Sequence, residues 1–235
     1  MADDKPHCMI IGVGAGTGLA LVRRFVAGGY RVSMIARSAD RLKGFADEVE
    51  SSVGYPVDIN DTDAYRETLR RMIADLGAPK MVIYNGSLAT FAPYTELDPD
   101  KLARNFRVNT IGLLVAAQET APAMVEAGDG SIVITGNTSA LRGVPGFTGF
   151  APTKASQRIL AESLARELGP QGVHVAYVVI DAAIDMPFAR KRWPDKPDDY
   201  FAKPDDIAGE VFHVAHQPRS TRSFLVQIRP FGETW

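Results

Sequence analysis

The chain of 235 residues carries 26 Lys and Arg against 28 Asp and Glu, a net charge of −2, with 46% hydrophobic and 23% charged residues. This is globular composition, which excludes disordered and collagen-like chains, and with no basic surplus nucleic acid is not an expected partner. The longest apolar runs, at 111–117 and 173–180, fall far short of the ~20 residues of a membrane helix, and Met1 to Lys5 show no basic-then-apolar leader.

Met9-Ile10-Ile11 reads as a short apolar strand running into glycines. Cys8, just before it, is the only cysteine, which rules out an internal disulfide and a cysteine-built zinc site and fits a reducing, cytoplasmic compartment. Residues 19–26 follow as a helix stopped by Gly28-Gly29, then a strand at 31–36 and a helix at 39–50. Tyr55 to Asp58 ends a third strand. Asp61 N-caps a helix that Gly77 stops, and 80–84 is a fourth strand. Asp98 followed by Pro99 opens the longest helix, expected to run to Gly128. A fifth strand at 131–135, a helix at 154–168 and a wholly apolar sixth strand at 173–180 come next. Pro204 opens a last helix and 223–228 is a seventh strand. Alternating strands and helices, with no repeat or linker, imply one α/β domain with a parallel sheet covered on both faces. Ligands are then expected at the carboxyl ends of the strands, where strand order reverses.

Gly12-Val13-Gly14-Ala15-Gly16-Thr17-Gly18 lies between the first strand and the first helix. Gly12, Gly16 and Gly18 form a G-x-x-x-G-x-G turn, in which glycine allows tight turning and close approach of a pyrophosphate. The helix N-terminus then offers free N–H groups and partial positive charge. A plain flexible loop is the alternative, and the placement after the first strand favours a nucleotide. Arg37 and Ser38 end the second strand, where a ribose-binding acid would otherwise stand. The Arg37 guanidinium suits a 2′-phosphate and so NADP(H) over NAD(H). Arg23, Arg24, Arg31 and Arg41 read as solvated surface residues.

These motifs resemble the short-chain dehydrogenase/reductase family, over about Cys8 to Gly232. The carriers are the glycine turn, Asp58 after the third strand, Asn85-Gly86-Ser87 after the fourth, Asn109 within Val108-Asn109-Thr110-Ile111-Gly112, and Lys154. The resemblance implies a single Rossmann-type, doubly wound domain spanning 1–235, with seven parallel strands in order 3-2-1-4-5-6-7 and a substrate lid around 183–203. It implies an NADP(H) site of Gly12, Gly16, Thr17, Gly18, Arg37, Ser38, Asp58, Ile59, Asn85, Gly86 and Lys154. It also implies a homodimer or homotetramer, built by pairing the helices around Pro99–Ala127 and Lys154–Leu168 across a two-fold axis.

Some positions depart from the family. Phe150 stands four residues before Lys154, where the family has the Tyr that gives or takes the substrate proton, and a phenyl ring has no exchangeable proton. Asn137 stands at the catalytic Ser position, and its amide can still donate to a carbonyl oxygen. Thr138 and Ser139 lie beside it. Asp181-Ala182 and Met186 replace the family's Pro-Gly and Thr after the sixth strand.

The catalytic candidates are therefore Lys154, Asn109 and Asn137. Lys154 contacts the nicotinamide ribose or is a helix-surface lysine. Asn109 holds a water or braces the backbone. Asp181 and Asp185 read as loop caps rather than proton carriers. Tyr84, Tyr94 and Tyr200 are alternative phenols among which the sequence does not choose. His7, His174, His213 and His216 lack metal spacing, so no metal is expected. Phe91, Tyr94, Phe147, Phe188, Trp193, Tyr200 and Phe201 suggest an apolar substrate pocket, with 191–199 mobile when empty.

Three functions are open. One is an NADP(H)-dependent oxidoreductase acting on a carbonyl or alcohol with a modified proton relay. Another is a catalytically impaired NADP(H)-binding sensor or partner subunit. The third is imine or enoyl reduction on the same fold. Fold alone does not separate them.

Overall fold

The computed structural model describes residues 5–232. The residues before Lys5, read above for a leader, lie outside that range. Nine strands and eight α-helices alternate along it, with one π-helical and several 3₁₀ turns.

Seven strands form one parallel sheet. β1 (His7–Ile11) lies inside it between β2 (Arg31–Ala36) and the central β4 (Met81–Tyr84). β3 (Ser52–Pro56) is one edge. β5 (Gly130–Asn137) and β6 (Val173–Ile180) continue to β9 (Leu225–Ile228) at the other. This is the expected order 3-2-1-4-5-6-7, the last strand being the ninth in the chain. Pro56 ends β3 two residues earlier than predicted, and the edge position tolerates its missing N–H.

The pleat sends alternate residues to opposite layers. Met9 and Ile11 join Val82, Tyr84 and Tyr177 under α3 (Thr62–Leu76), α5 (Gly112–Ala127) and α6 (Ala151–Leu168). Cys8 and Ile10 join Ile83, Phe25 and Val211 on the side of α1 (Thr17–Ala27), α2 (Ala39–Glu48) and α8 (Pro204–Ala215). Every residue of β1 is buried, as burial on both faces requires.

Local chemistry sets the helix ends. Asp61 accepts from the Ala64 N–H at 3.1 Å and Ser38 from that of Arg41 at 3.3 Å, satisfying first-turn donors of α3 and α2. Gly77, at φ +83°, and Gly128, at φ +60°, stop α3 and α5 in a backbone region that L residues avoid.

The single helix expected from Asp98 to Gly128 is not observed. α4 (Pro99–Phe106) passes through a π-helical turn at Arg107–Ile111 before α5 begins. The cause is Asn109, whose buried amide bridges the Leu88 backbone and Thr153 and so draws one extra residue into the turn. α6 begins at Ala151, three residues before the predicted start. The sequence also missed a two-stranded parallel pair, β7 (Ala183–Ile184) with β8 (Phe201–Ala202), and the short α7 (Pro187–Arg192) between them. This segment, expected to be mobile in part, is tied by Arg190. Its guanidinium donates to Asp185 at 2.7 and 2.8 Å and to Asp198 at 2.6 Å, and lies over the Phe201 ring.

Candidate nucleotide cleft and active site

The glycine turn sits where β1 ends and α1 begins. Gly12 adopts φ +91°, and a Cβ there would stand 2.5 Å from the Gly86 backbone. A Cβ on Gly18 would stand 2.7 Å from the Cα of Val13. Both glycines are thus required by close backbone approach. Gly14 faces open space, and Gly16 lies against the Met186 side chain. Gly16 gives α1 no side-chain cap, and the buried Thr17 Oγ1 at its first turn has no partner.

A cleft of about 590 Å³ opens beside this turn at the carboxyl end of the sheet. Gly12, Arg37, Ser38, Asp58, Ile59, Asn85 and Gly86, all predicted, line it. Asn85 acts as a brace. Its Nδ2 donates to the Gly12 carbonyl at 2.7 Å, while its Oδ1 accepts from the Thr135 hydroxyl at 2.7 Å. Arg41 and Arg104 also line the cleft. Arg41 is exposed, as the solvated reading expects, and it also borders the cleft. It stands four residues after Arg37, and the Ser38 cap starts the helix that brings both guanidiniums to one rim. Neither guanidinium has a hydrogen-bond or ion-pair partner among the described residues.

These features fit a dinucleotide phosphate. The backbone is open where a Cβ would intrude, a buried hydroxyl awaits an acceptor or donor at a helix N-terminus, and two uncompensated cations flank the rim.

The catalytic candidates take different places. Asn137 ends β5. Its Oδ1 accepts from the Ser139 N–H at 3.2 Å, and its Nδ2 has no partner among the described residues. Phe150 is buried and packs edge-on against Phe91 at 5.5 Å between ring centres, with Phe147 beside them.

Lys154 is neither a surface lysine nor a wall of the cleft. It is 2% exposed. Its Nζ donates to the Thr135 carbonyl at 3.3 Å and to Gln157 Oε1. Gln157 Oε1 also accepts from the Tyr177 hydroxyl at 3.1 Å, and Gln157 Nε2 donates to the Asn109 carbonyl at 2.6 Å. Burial lowers the Lys154 pKa to about 7, because the site solvates the ammonium poorly.

Of the two readings of Asn109, the structure supports bracing. Its Oδ1 accepts from the Leu88 N–H at 2.8 Å. Its Nδ2 donates to the Leu88 carbonyl at 2.8 Å and to Thr153 at 2.7 Å. Sequence reasoning missed Gln157, although a position three residues after Lys154 on one helix was the available signal.

The alternative donors are accounted for. Tyr84 is buried, with its hydroxyl donating to the Val108 carbonyl and its pKa raised by desolvation. Tyr94 is 79% exposed, and Tyr200 stacks with Trp193 and Phe201 in the lid segment. Asp185 pairs with Arg190, and Asp181 accepts from Gln227. No cluster of three metal-ligating side chains occurs among the described residues.

The family model for short chain dehydrogenases matches residues 6–196. The chain belongs to the short-chain dehydrogenase family. This family binds NAD(P). The chain is 32% identical over 172 residues to the cyclic-di-GMP-binding biofilm dispersal mediator protein of Escherichia coli (strain K12), covering 72% of this chain and 70% of that one. It is 26% identical over 218 residues to carbonyl reductase (NADPH) 2 of Sus scrofa, covering 88% of each. The solved short-chain dehydrogenase of Rhodopseudomonas palustris superposes with a TM-score of 0.82 at 28% identity, covering 96% of this chain and 99% of that one. Among the described residues of this short-chain dehydrogenase, no helix is long and apolar enough to cross a membrane.

Proposed function

We propose that the protein is an NADP(H)-dependent oxidoreductase that acts on the carbonyl or alcohol of a small, apolar molecule, through a proton relay without a phenol at position 150. The observation that carries the cofactor choice is the unpaired Arg37 and Arg41 at the rim of the glycine-turn cleft. Two guanidiniums on one rim, neither paired with a carboxylate among the described residues, suit the extra phosphate that separates NADP(H) from NAD(H). The pig relative, whose name carries NADPH, supports the choice.

When bound, NADPH supplies a hydride. The chain's own residues do the rest. Gly12 and Gly18 let the backbone approach the pyrophosphate, Thr17 Oγ1 completes its cradle, and Asp58 and Ile59 border the adenine end. The free Nδ2 of Asn137 donates to the substrate oxygen as negative charge develops there. Lys154 Nζ, with a pKa near 7, holds an exchangeable proton at neutral pH and passes it through water rather than through a side chain at position 150. The aromatic group of Phe91, Phe147 and Phe150 forms an apolar wall for the substrate.

The test is calorimetric titration with NADPH and NADH, followed by turnover assays on generic ketones and aldehydes. Tighter NADPH binding with slow, measurable reduction is the expected result. Equal affinities overturn the cofactor choice.

A second reading, a cofactor-holding sensor, draws on the enclosure of Lys154 by Gln157, Thr135 and Tyr177 and on the binding role in the E. coli relative's name. Tight NADPH binding with no turnover on ketones, aldehydes, imines or enoyl compounds selects it. Turnover confined to imines or enoyl compounds selects the different-reduction reading.

The protein also assembles as a homodimer or homotetramer, through α5 and α6. Ala116, Ala117, Ala161 and Leu168 are buried against the sheet, which leaves the exposed Ile111, Leu114 and Ile159 to face a second copy. Light scattering at the monomer mass of 25.5 kDa overturns this.

A further inference from the structure

A second cavity lies at the opposite end of the sheet from the nucleotide cleft. It holds about 520 Å³ where β6 and β9 begin, between the turn after α6 and the segment before β9. That volume is ordinary for a small-molecule site. Arg219, Arg222, His174, Gly169, Gly172 and Ser223 are among the residues that line it.

Several guanidiniums elsewhere on the molecule are held by carboxylates. Arg66 and Arg70 share Glu119, Arg158 and Arg166 share Glu162, Arg190 holds Asp185 and Asp198, and Arg23 holds Glu48. Arg219 and Arg222 have no carboxylate partner among the described residues. The acid that acts on Arg222, Asp129, is paired with Lys80 at 3.1 Å. Arg219 donates to the Gly128 carbonyl, and Arg222 to the Gly172 carbonyl at 2.9 Å. These contacts position the two side chains but engage few of the five N–H donors on each guanidinium. Burial, and after it the neighbouring Arg219, hold the Arg222 pKa below its usual value against the opposing pull of Asp129.

A second observation is independent of charge. His174 is 4% exposed and donates from Nε2 to the Ser223 carbonyl at 2.8 Å, while its Nδ1 has no partner. Arg222 Nε is likewise buried without one. Buried polar atoms are nearly always paired, and the Arg222 Nε–H is a donor left free beside the cavity among the described residues, whereas His174 Nδ1, with the proton on Nε2, is an acceptor and plays no part in holding an anion.

We propose that this cavity binds a small phosphorylated molecule, its phosphate held by Arg219 and Arg222. Forked donors match tetrahedral oxyanions, and the cavity exceeds a bare phosphate, so the carbon skeleton of the ligand lies along Gly169, Gly172 and Ser223. Free phosphate and a phosphate ester share the recognition chemistry, and their relative affinities separate them.

The experiment uses the full chain carrying Arg37→Ala, Arg41→Ala and Arg104→Ala, which removes the arginines that line the nucleotide cleft. It is titrated calorimetrically at fixed ionic strength with inorganic phosphate and with ribose 5-phosphate. Both are expected to bind saturably, the ester at least fivefold more tightly. Adding Arg219→Ala and Arg222→Ala is expected to weaken both at least tenfold. Arg222→Lys keeps the charge and the reach to Gly172 but loses the fork, and is expected to weaken binding severalfold with an unchanged melting temperature. Amide shifts in the parent protein should centre on Gly172 and Ser223. Absence of saturable binding, binding indifferent to the arginine changes, or shifts centred on Gly12 and Gly14 would each overturn the site.

Discussion

The glycine-turn cleft and the buried network around Lys154 solve opposite problems. At the phosphate turn, groups are left open: Thr17 Oγ1 lacks a partner, Arg37 and Arg41 lack counter-ions, and Gly12 exposes backbone where a side chain would intrude. At the catalytic end, groups satisfy one another. Lys154, Gln157, Tyr177, Thr135 and Asn109 close a buried network. Unsatisfied polar groups beside a cavity invite a ligand, whereas a closed network specifies structure. The difference teaches that cofactor binding is built into the resting fold. The Lys154 amine, by contrast, is engaged with the protein itself in that fold.

Substitutions should break this contrast in graded steps. Gly12→Val places a branched side chain against the Gly86 backbone at positive φ, so NADPH binding should be lost from calorimetric titrations while the sheet still folds. Phe150→Tyr with Asn137→Ser supplies the missing phenol and hydroxyl. Reduction of generic ketones should rise by ~10²–10⁴, the usual worth of a positioned general acid. If the double variant binds NADPH but gains no rate, the pocket is not built for carbonyls. Arg37→Ala with Arg41→Ala should weaken NADPH by about 10- to 100-fold, as expected for lost charge-assisted hydrogen bonds, and leave NADH almost unchanged.

Lys154→Met tests the closed half. In the folded chain the Lys154 amine titrates at about 7, against the ordinary 10.5 of an unfolded lysine. Between those values the unfolded chain binds more protons, so native stability rises with pH across that window and is lowest below it. Replacing the amine with an apolar side chain of similar length removes the penalty. The variant should be more stable than wild type by roughly 2–3 kcal/mol near pH 6, allowing for its lost hydrogen bonds, with the gap closing by pH 9. Denaturant melts at both pH values decide it. A variant less stable than wild type at pH 6 would show that the network, not the buried charge, dominates there.

Much of the molecule was legible in its residues. Strand and helix alternation, the Asp61 and Asp98 caps, the Gly77 and Gly128 stops and the glycine turn are local signals. They depend on side-chain periodicity and on φ angles that neighbours along the chain dictate. Cleft residues from Gly12 to Gly86 could be placed because in a parallel sheet each strand's carboxyl end is a known address.

What tertiary structure alone decided lies where a side chain chooses between distant partners. Asn109 turned inward to Leu88 and Thr153 and opened a π-helical turn inside an otherwise continuous helical pattern. Lys154 turned to Gln157 and away from the cleft, and no periodicity encodes that choice. Arg41 stays exposed, yet the Ser38 cap starts α2 so that it borders the same cleft as Arg37, four residues before it. The two-residue strands β7 and β8 are too short to show a pattern and exist only because Arg190 and the paired backbones bring them together. Local sequence determines which elements form and where they end, because those energies arise within a few residues. The direction of each polar side chain is set by partners tens of residues away, so it becomes visible only when the chain is folded.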